Sequence, residues 1–505
     1  MTKYIIAHDL GTSGNKASLF SEHGQLIGSV ISSYETKYME GNQVEQNAEE
    51  WWKAVYSTTN ALINDFVVNP EDIATVSFSG QMMGCLCVDS DGNAIRNAII
   101  WADQRAEKQS AKIEKHISQK DFYNIVGHKN TASYGIQKMM WIRDNEPEVY
   151  NKTYKFLNAK DFIVSRLTGK FYTDYSDGNS TGCFDLKKLK WSDELIGYAE
   201  IDKSKLPELK PSTFIAGGVT KYASQLTGLV EGTPVVLGAG DGVTASVGAG
   251  SVTPGRTYCS IGTSAWITTT SQKPVFDEHM RTVTWAHAVP GLYAPNGTMQ
   301  TAGGAVQWLK NEICKIEIKK AENKGNSVYD YINKEVEKAP AGSNGIYFLP
   351  YLLGERSPRW DSEAKGAFIG ITAENKRQDM IRSVFEGVTF NLSIILDALR
   401  KNITIEELVV VGGGAKSKVW SQIMADIFDV DINIPEVLEE ASSMGAAVIG
   451  GVGVGIFDNF DIIDQFLNVN ETKTAEQKTV EKYKKIKKNF DEIYYALKPI
   501  FPNLS

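Results

Sequence analysis

One acid in this chain stands among residues too small to shield it. Asp241 lies within Leu237 to Gly250, which reads LGAGDGVTASVGAG, directly after the β-branched run Thr233-Pro-Val-Val-Leu237. Glycines let a chain turn tightly and let a ligand approach the backbone. A carboxylate at such a strand end can reach into a cleft and take a proton from a bound hydroxyl. An ordinary Gly-rich turn would also carry an Asp, so the reading depends on the flanking chain.

Other stretches offer complementary chemistry. Asp9-Leu-Gly-Thr-Ser-Gly14 is a turn between two short strands, and backbone N–H groups in such a turn can cradle a phosphate. Leu10-Gly-Thr-Ser13 recurs without a gap as Ile261-Gly-Thr-Ser264, an internal repeat that suggests two similar domains. Gly412-Gly-Gly-Ala-Lys-Ser417 follows the apolar run Glu407–Val411 and precedes a helix. There the backbone can lie flat against a ring or sugar beside a helix N-terminus. The Lys-Ser/Thr ending of a P-loop is missing at the required spacing. Ser79-Gly-Gln-Met-Met-Gly84 and Trp101-Ala-Asp103-Gln-Arg105 place polar and aromatic groups at strand ends, where α/β proteins build ligand clefts.

The elements that must position these groups read as follows. Tyr4–Ala7, Lys16–Phe20 and Gln25–Tyr34 form an antiparallel meander. Glu49–Phe66 is an amphipathic helix, and 74–78, 85–88 and 98–101 are strands. Residues 106–167 are mostly helical, and 151–232 are mixed. Ala302-Gly-Gly304 opens a helix, and Lys319–Lys338 is charged and helical. Arg377–Arg400 carries Ile381, Val384, Phe385, Val388, Leu392, Ile395 and Leu399 on one face. A small-residue helix spans Ala441–Gly455. A basic amphipathic helix with Tyr483, Ile486, Phe490, Ile493 and Leu497 inward closes the chain, its lysines forming a solvated face.

At 505 residues, the chain has room for two or more domains. Its net charge of −8 argues against a nucleic-acid partner, which would need a basic face. No segment approaches the roughly 18 apolar residues of a membrane span, and MTKYIIAHDL has no apolar run of a secretory signal. The five scattered cysteines read as reduced thiols of a cytoplasmic protein.

Together the motifs resemble the FGGY carbohydrate kinases, of the sugar kinase, Hsp70 and actin superfamily. Gly366-Ala-Phe-Ile-Gly-Ile371 with Asp379-Met-Ile-Arg-Ser-Val-Phe-Glu386 fits the C-terminal pattern of that family, and Lys138-Met-Met-Trp-Ile-Arg-Asp-Asn145 the core of its N-terminal one. Gly135 departs from the Pro, Ser or Thr usual there. The resemblance implies an α/β fold of two ribonuclease-H-like (actin-like ATPase) domains flanking a catalytic cleft. Residues 1–245 would form the domain with the sugar pocket, metal acid and base, and 246–505 the nucleotide domain with its C-terminal amphipathic helix.

It further implies ATP-dependent phosphorylation of a sugar hydroxyl with Mg²⁺. Asp241 matches the catalytic base, and Asp9 the acid that holds Mg²⁺ beside the phosphates. Thr12, Ser13, Thr263 and Ser264 lie on the two phosphate turns. Gly304, Gly413 and Gly414 match positions around the nucleotide. Gln81, Met82, Met83, Trp101 and Asp103, with Asp241, match the sugar pocket. Phosphoryl transfer needs positioning and charge neutralisation more than covalent help, and this set supplies both.

Length and the Ser-Gly-Gln-Met run are most similar to the xylulokinases, so D-xylulose is the expected acceptor, with another ketopentose, a polyol or a sugar acid such as gluconate as alternatives. Met83 stands where xylulokinases usually carry histidine. The expected partners are a small-molecule sugar and ATP, without nucleic acid or membrane, and the expected assembly is a homodimer. A non-catalytic actin-like regulator would have lost the base or the metal acid. A dehydrogenase would need GxGxxG after the first strand.

Overall fold

Two seven-stranded sheets of matching topology organise the molecule. The computed structural model describes residues 2–436 and 440–504. In the first sheet, Tyr4–Leu10 pairs antiparallel with Gly14–Ser21, and Gly14–Ser21 with Leu26–Ser33. On its other side Tyr4–Leu10 pairs parallel with Ile73–Gly80, followed by Pro234–Val236 (parallel) and Ile215–Gly218 (antiparallel). The second sheet repeats the plan. Thr257–Ile261 pairs antiparallel with Ala265–Thr269 and parallel with Glu407–Val411. Glu407–Val411 then pairs parallel with Asp431–Pro435, and that strand antiparallel with Val469–Lys473. The repeat inferred from Leu10–Ser13 and Ile261–Ser264 is therefore the hairpin turn at the same place in each sheet.

The central parallel strands are covered on both faces, which is why they read as apolar runs rather than alternating ones. Arg377–Arg400 is the long cover of the second sheet, its Ile381, Val388, Leu392 and Leu399 in one core with Cys259, Ile267 and Val410. Its first turn is fixed by the Asp379 carboxylate accepting the Lys376 N–H at 2.8 Å. Trp51, Val55 and Leu62 of Ala48–Asp65 cover the first sheet in the same way.

Two features depart from the sequence reading. The charged stretch 319–338 is two helices, Lys315–Lys324 and Val328–Lys338, parted at Gly325, whose φ is +66°. Asp241 follows the short strand Ala239–Gly240 directly, as read, but is also the first residue of a helix, Asp241–Gly248. That helix crosses Ala441–Gly453 at backbone contact. A Cβ on Gly248 would lie 1.8 Å from the Ala441 carbonyl oxygen, and one on Gly445 1.9 Å from that of Thr244. The run of small residues in both segments exists for this crossing.

Helix Ala441–Gly453 belongs by sequence to the second half, yet it packs on the first sheet. Ala446 and Ala447 share a cluster with Ile5, Ala7 and Phe20. A cut at 245/246 separates the sheets but not this helix. No helix among the described residues is long and apolar enough to cross a membrane. The five cysteines are all free and buried.

Candidate active site

Strand register brings the two acids together. Asp9 lies opposite Ser79 on the parallel neighbour strand, and Ser79 lies opposite Ala239 on the short strand Ala239–Gly240. Leu10, Gly80 and Gly240 form the next level. Asp241 follows immediately, so both carboxylates stand at the C-terminal edge of three adjacent parallel strands, where open α/β sheets bind ligands. Thr244, one turn into the helix, places its hydroxyl 2.9 Å from Ser79 Oγ and 2.8 Å from the Gly240 carbonyl. From the second sheet, Tyr258 donates to the Gly242 carbonyl at 3.0 Å, and Trp266 Nε1 donates to Tyr258 at 2.7 Å. The helix carrying Asp241 is thus held from both domains.

Asp241 keeps exposed surface. Protein mass on every other side still thins the water around it. Burial, then the Asp9 charge, pushes its carboxyl up to about 7, against the Gly242 N–H, which donates to it at 2.7 Å. Asp9 is pushed up as well, chiefly by burial, with the Ser79 hydroxyl and the Lys16 ammonium opposing. Lys16 is shared with Glu440, with which it forms an ion pair.

The turn Gly11–Ser13 shows its N–H edge outward. The Gly11 carbonyl accepts from the Tyr34 hydroxyl and, at 3.4 Å, from Gln81 Nε2. The Thr12 carbonyl accepts from Gln46 Nε2 at 2.6 Å and Thr36 Oγ1 at 3.2 Å. In a trans peptide the N–H points opposite to the C=O. Inward carbonyls at 11 and 12 therefore turn the N–H groups of Thr12 and Ser13 away from the protein.

The second turn is built alike with backbone donors. The Gly262 carbonyl accepts from the Gly303 N–H, and that of Thr263 from the Ala302 and Gly304 N–H groups, each at 2.9 Å. Thr263 and Ser264 then present their N–H groups outward. Gly304 belongs to this clamp. A Cβ on Gly303 would meet the Gly262 oxygen at 2.3 Å.

The three glycines after Val411 differ in kind. Gly412 has φ +85°, and a Cβ there would lie 2.7 Å from the Ile261 oxygen. At Gly414 the Cβ would lie 2.4 Å from Ile261 Cγ2. Both are needed to pass the neighbouring strand. Gly413 has nothing within 4 Å of a Cβ and is exposed, so it is the member free to meet a ligand.

The residues expected around the sugar separate as well. Gln81 is buried, and its amide joins the Gly11 carbonyl to Gln46 Oε1. Met82 packs over Gly240, where a Cβ would lie 2.5 Å from its Cγ. Met83 is half-buried with φ +62°; its N–H donates to Ser180 Oγ at 3.1 Å, and its carbonyl accepts from Lys138 Nζ at 2.8 Å. Trp101 is half-buried, and its Nε1 donates to Thr12 Oγ1 at 2.9 Å, linking this loop to the first phosphate turn.

Asp103 is enclosed on every side. It is 0% exposed, and its carboxylate accepts from the Val44 and Arg105 N–H groups and the Arg105 guanidinium. With every oxygen engaged it braces strand Gln43–Gln46 and does not line an opening.

Lys138 escaped the sequence reading as a site residue, although it sits in the quoted family pattern. Its Nζ donates to the carbonyls of Met83, Ile100 and Ser133 at 2.6–2.8 Å. Burial pushes its amine down to about 7, with Asp103 opposing. Three acceptors for three ammonium hydrogens favour the charged form.

The sequence patterns of the FGGY family of carbohydrate kinases match almost the whole chain, the N-terminal domain over residues 4–248 and the C-terminal domain over 257–454. The chain belongs to that family and is a carbohydrate kinase. It is 32% identical to the gluconokinase of Bacillus subtilis (strain 168), over all of this chain and 96% of that one. It is 30% identical to the xylulose kinase of the same organism, over 99% and 98% of the two chains. The crystal structure of gluconate kinase from Lactobacillus acidophilus superposes with a TM-score of 0.93 at 27% identity, covering both chains completely.

Proposed function

We propose that this kinase transfers the γ-phosphoryl group of ATP to a hydroxyl of a five- or six-carbon polyhydroxylated acceptor, with D-xylulose, giving D-xylulose 5-phosphate, as the first reading. The observation carrying the reaction is the pair of acids at the ends of the two parallel strands that flank Ile73–Gly80, Asp241 exposed and Asp9 beside Ser79. Asp241 in its carboxylate form takes the proton of the acceptor hydroxyl as that oxygen attacks phosphorus. The outward N–H groups of Thr12, Ser13, Thr263 and Ser264 receive phosphate oxygens. Gly413 lets the nucleotide lie against the backbone, and Trp101 ties the acceptor side to the phosphate side.

The residues present suit Mg²⁺. Among the described residues no group of three or more acidic, His or Cys side chains is arranged to hold a metal ion by itself. Mg²⁺ commonly binds through one or two carboxylates, with waters and substrate phosphates completing its shell. Asp9 would hold it, and when bound it neutralises charge on the phosphate oxygens.

A second reading is D-gluconate, and one observation favours it. Arg356 is half-buried and forms no ion pair within 4 Å among the described residues; the charges that act on it are those of the adjoining Glu355 and of Tyr134. Tyr134 shares an apolar cluster with Met82 and Met83. A guanidinium without an ion-pair partner within 4 Å suits a carboxylate, and a thioether at Met83 donates no hydrogen bond to a ketose hydroxyl. A panel of ketoses, polyols and sugar acids in a coupled ADP-release assay tests both readings. Turnover of D-xylulose above D-gluconate supports the first, the reverse order supports the second, and no Mg-ATP-dependent turnover of any member overturns the proposal.

A further inference from the structure

A buried bracket lies behind the cleft. The short helix Tyr175–Ser180 is started by Asp174, whose Oδ2 accepts from the Ser176 N–H at 3.0 Å, Ser176 Oγ at 2.6 Å and Ser212 Oγ at 2.9 Å. Lys160 Nζ sits 2.9 Å from Asp174, 2.6 Å from Asp161 and 3.1 Å from Asp177, with all four side chains buried. One ammonium faces three carboxylates, and burial pushes the Asp161 and Asp177 carboxyls up, with Lys160 opposing.

Two serines of this helix face the reacting parts. Ser176 spends its hydrogen on Asp174 and accepts the Gly240 N–H at 2.9 Å, one residue before Asp241. Ser180 spends its hydrogen on the Asp177 carbonyl and accepts the Met83 N–H at 3.1 Å. Between them, Asn179 Oδ1 accepts the Ala286 N–H of the second sheet at 3.1 Å.

We propose that Ser176, oriented by Asp174 and Lys160, is a positioning residue for Asp241, and that Ser180 is its counterpart for the Met83 loop. The hydroxyl–carboxylate pair fixes the last strand residue before the base, so the angle at which Asp241 leaves the sheet follows from it. Asp174 holds that hydroxyl in one orientation, which leaves its lone pair for Gly240 and for nothing else. The inference rests on the kinase reading of Asp241, and its test separates the two.

Rates are measured with Mg-ATP and either D-xylulose or D-gluconate for wild type, Ser176→Ala, Asp241→Asn and the double variant. Ser176→Ala should lower kcat by about five- to a hundredfold, the range of a buried hydrogen bond left unmade, with KM for Mg-ATP unchanged. In the Asp241→Asn background it should cost less than twofold, because groups acting as a unit are not additive. Ser180→Ala should instead raise the acceptor KM.

Should Ser176→Ala cost the same factor in the Asp241→Asn background as in wild type, Ser176 acts on the fold and not through Asp241, and the proposal is overturned. Amide hydrogen exchange over residues 239–243 decides the same point without a substrate. Faster exchange there in Ser176→Ala, or in Ser176→Cys should the alanine variant not fold, is expected, and wild-type exchange overturns the bracket. Absence of turnover by wild type overturns the kinase reading alone.

Discussion

Gly413→Ala separates a ligand contact from a structural glycine. Gly412 and Gly414 cannot serve, because a Cβ at either meets Ile261 at 2.7 or 2.4 Å and disturbs the sheet. At Gly413 a Cβ meets nothing within 4 Å, and its φ is not positive. The free protein should tolerate the methyl group and gain up to about 0.4–1 kcal/mol from the stiffer unfolded chain. A nucleotide lying on this backbone would be displaced. Forcing a methyl group into a close-packed contact costs about 1–3 kcal/mol, which is roughly a five- to 150-fold rise in KM for Mg-ATP. The assay is steady-state kinetics at saturating acceptor together with a thermal melt. A melting temperature held or raised with KM for Mg-ATP increased is expected. Unchanged KM would refute the placing of the nucleotide at Gly413.

Further outcomes follow from the same geometry. Asp9→Ala should abolish Mg²⁺-dependent turnover and leave acceptor affinity within about threefold, read by titrating Mg²⁺ and by acceptor binding without nucleotide; unchanged Mg²⁺ dependence would show Asp9 to be structural. Only the carboxylate form of Asp241 accepts a proton, and its pKa is raised to about 7, so kcat/KM should fall roughly tenfold per pH unit below about 7 and level off above it. A limb near the ordinary carboxylate value of about 4 would contradict the described surroundings of Asp241. Met83→His should raise kcat/KM for D-xylulose by about five- to 150-fold if the unpaired hydroxyl costs roughly 1–3 kcal/mol; no gain would show that position 83 does not face the acceptor.

The legible parts of the chain were those with a strong local signal. Arg377–Arg400 and Glu407–Val411 have the ends read from sequence, because one has unbroken helical spacing and the other is a β-branched run leading into glycines. The two hairpin turns were visible as repeated Gly-Thr-Ser, but not the carbonyl clamps behind them, which use Tyr34, Gln46 and Gln81 in one sheet and 302–304 in the other.

The helix beginning at Asp241 was hidden because its small residues have no apolar period; its packing on Ala441–Gly453 defines it. The break at Gly325 was masked by charged residues on both sides that suit a helix equally well. Asp103 misled because an acid at a strand end looks the same whether it faces a cleft or an arginine two residues on. Lys138 and Lys160 lie in a stretch read only as mostly helical, and only the tertiary fold supplies the carbonyls and carboxylates around them.

The measurement closest to the central claim is single-turnover phosphoryl transfer by Asp241→Asn. The substitution keeps the size of the side chain and the possibility of the Gly242 contact but cannot take a proton. The account predicts a transfer rate lower by about 10²–10⁴, the range for loss of a general base, with Mg-ATP affinity and melting temperature near wild type. A transfer rate near that of wild type would contradict it and remove Asp241 from the chemistry.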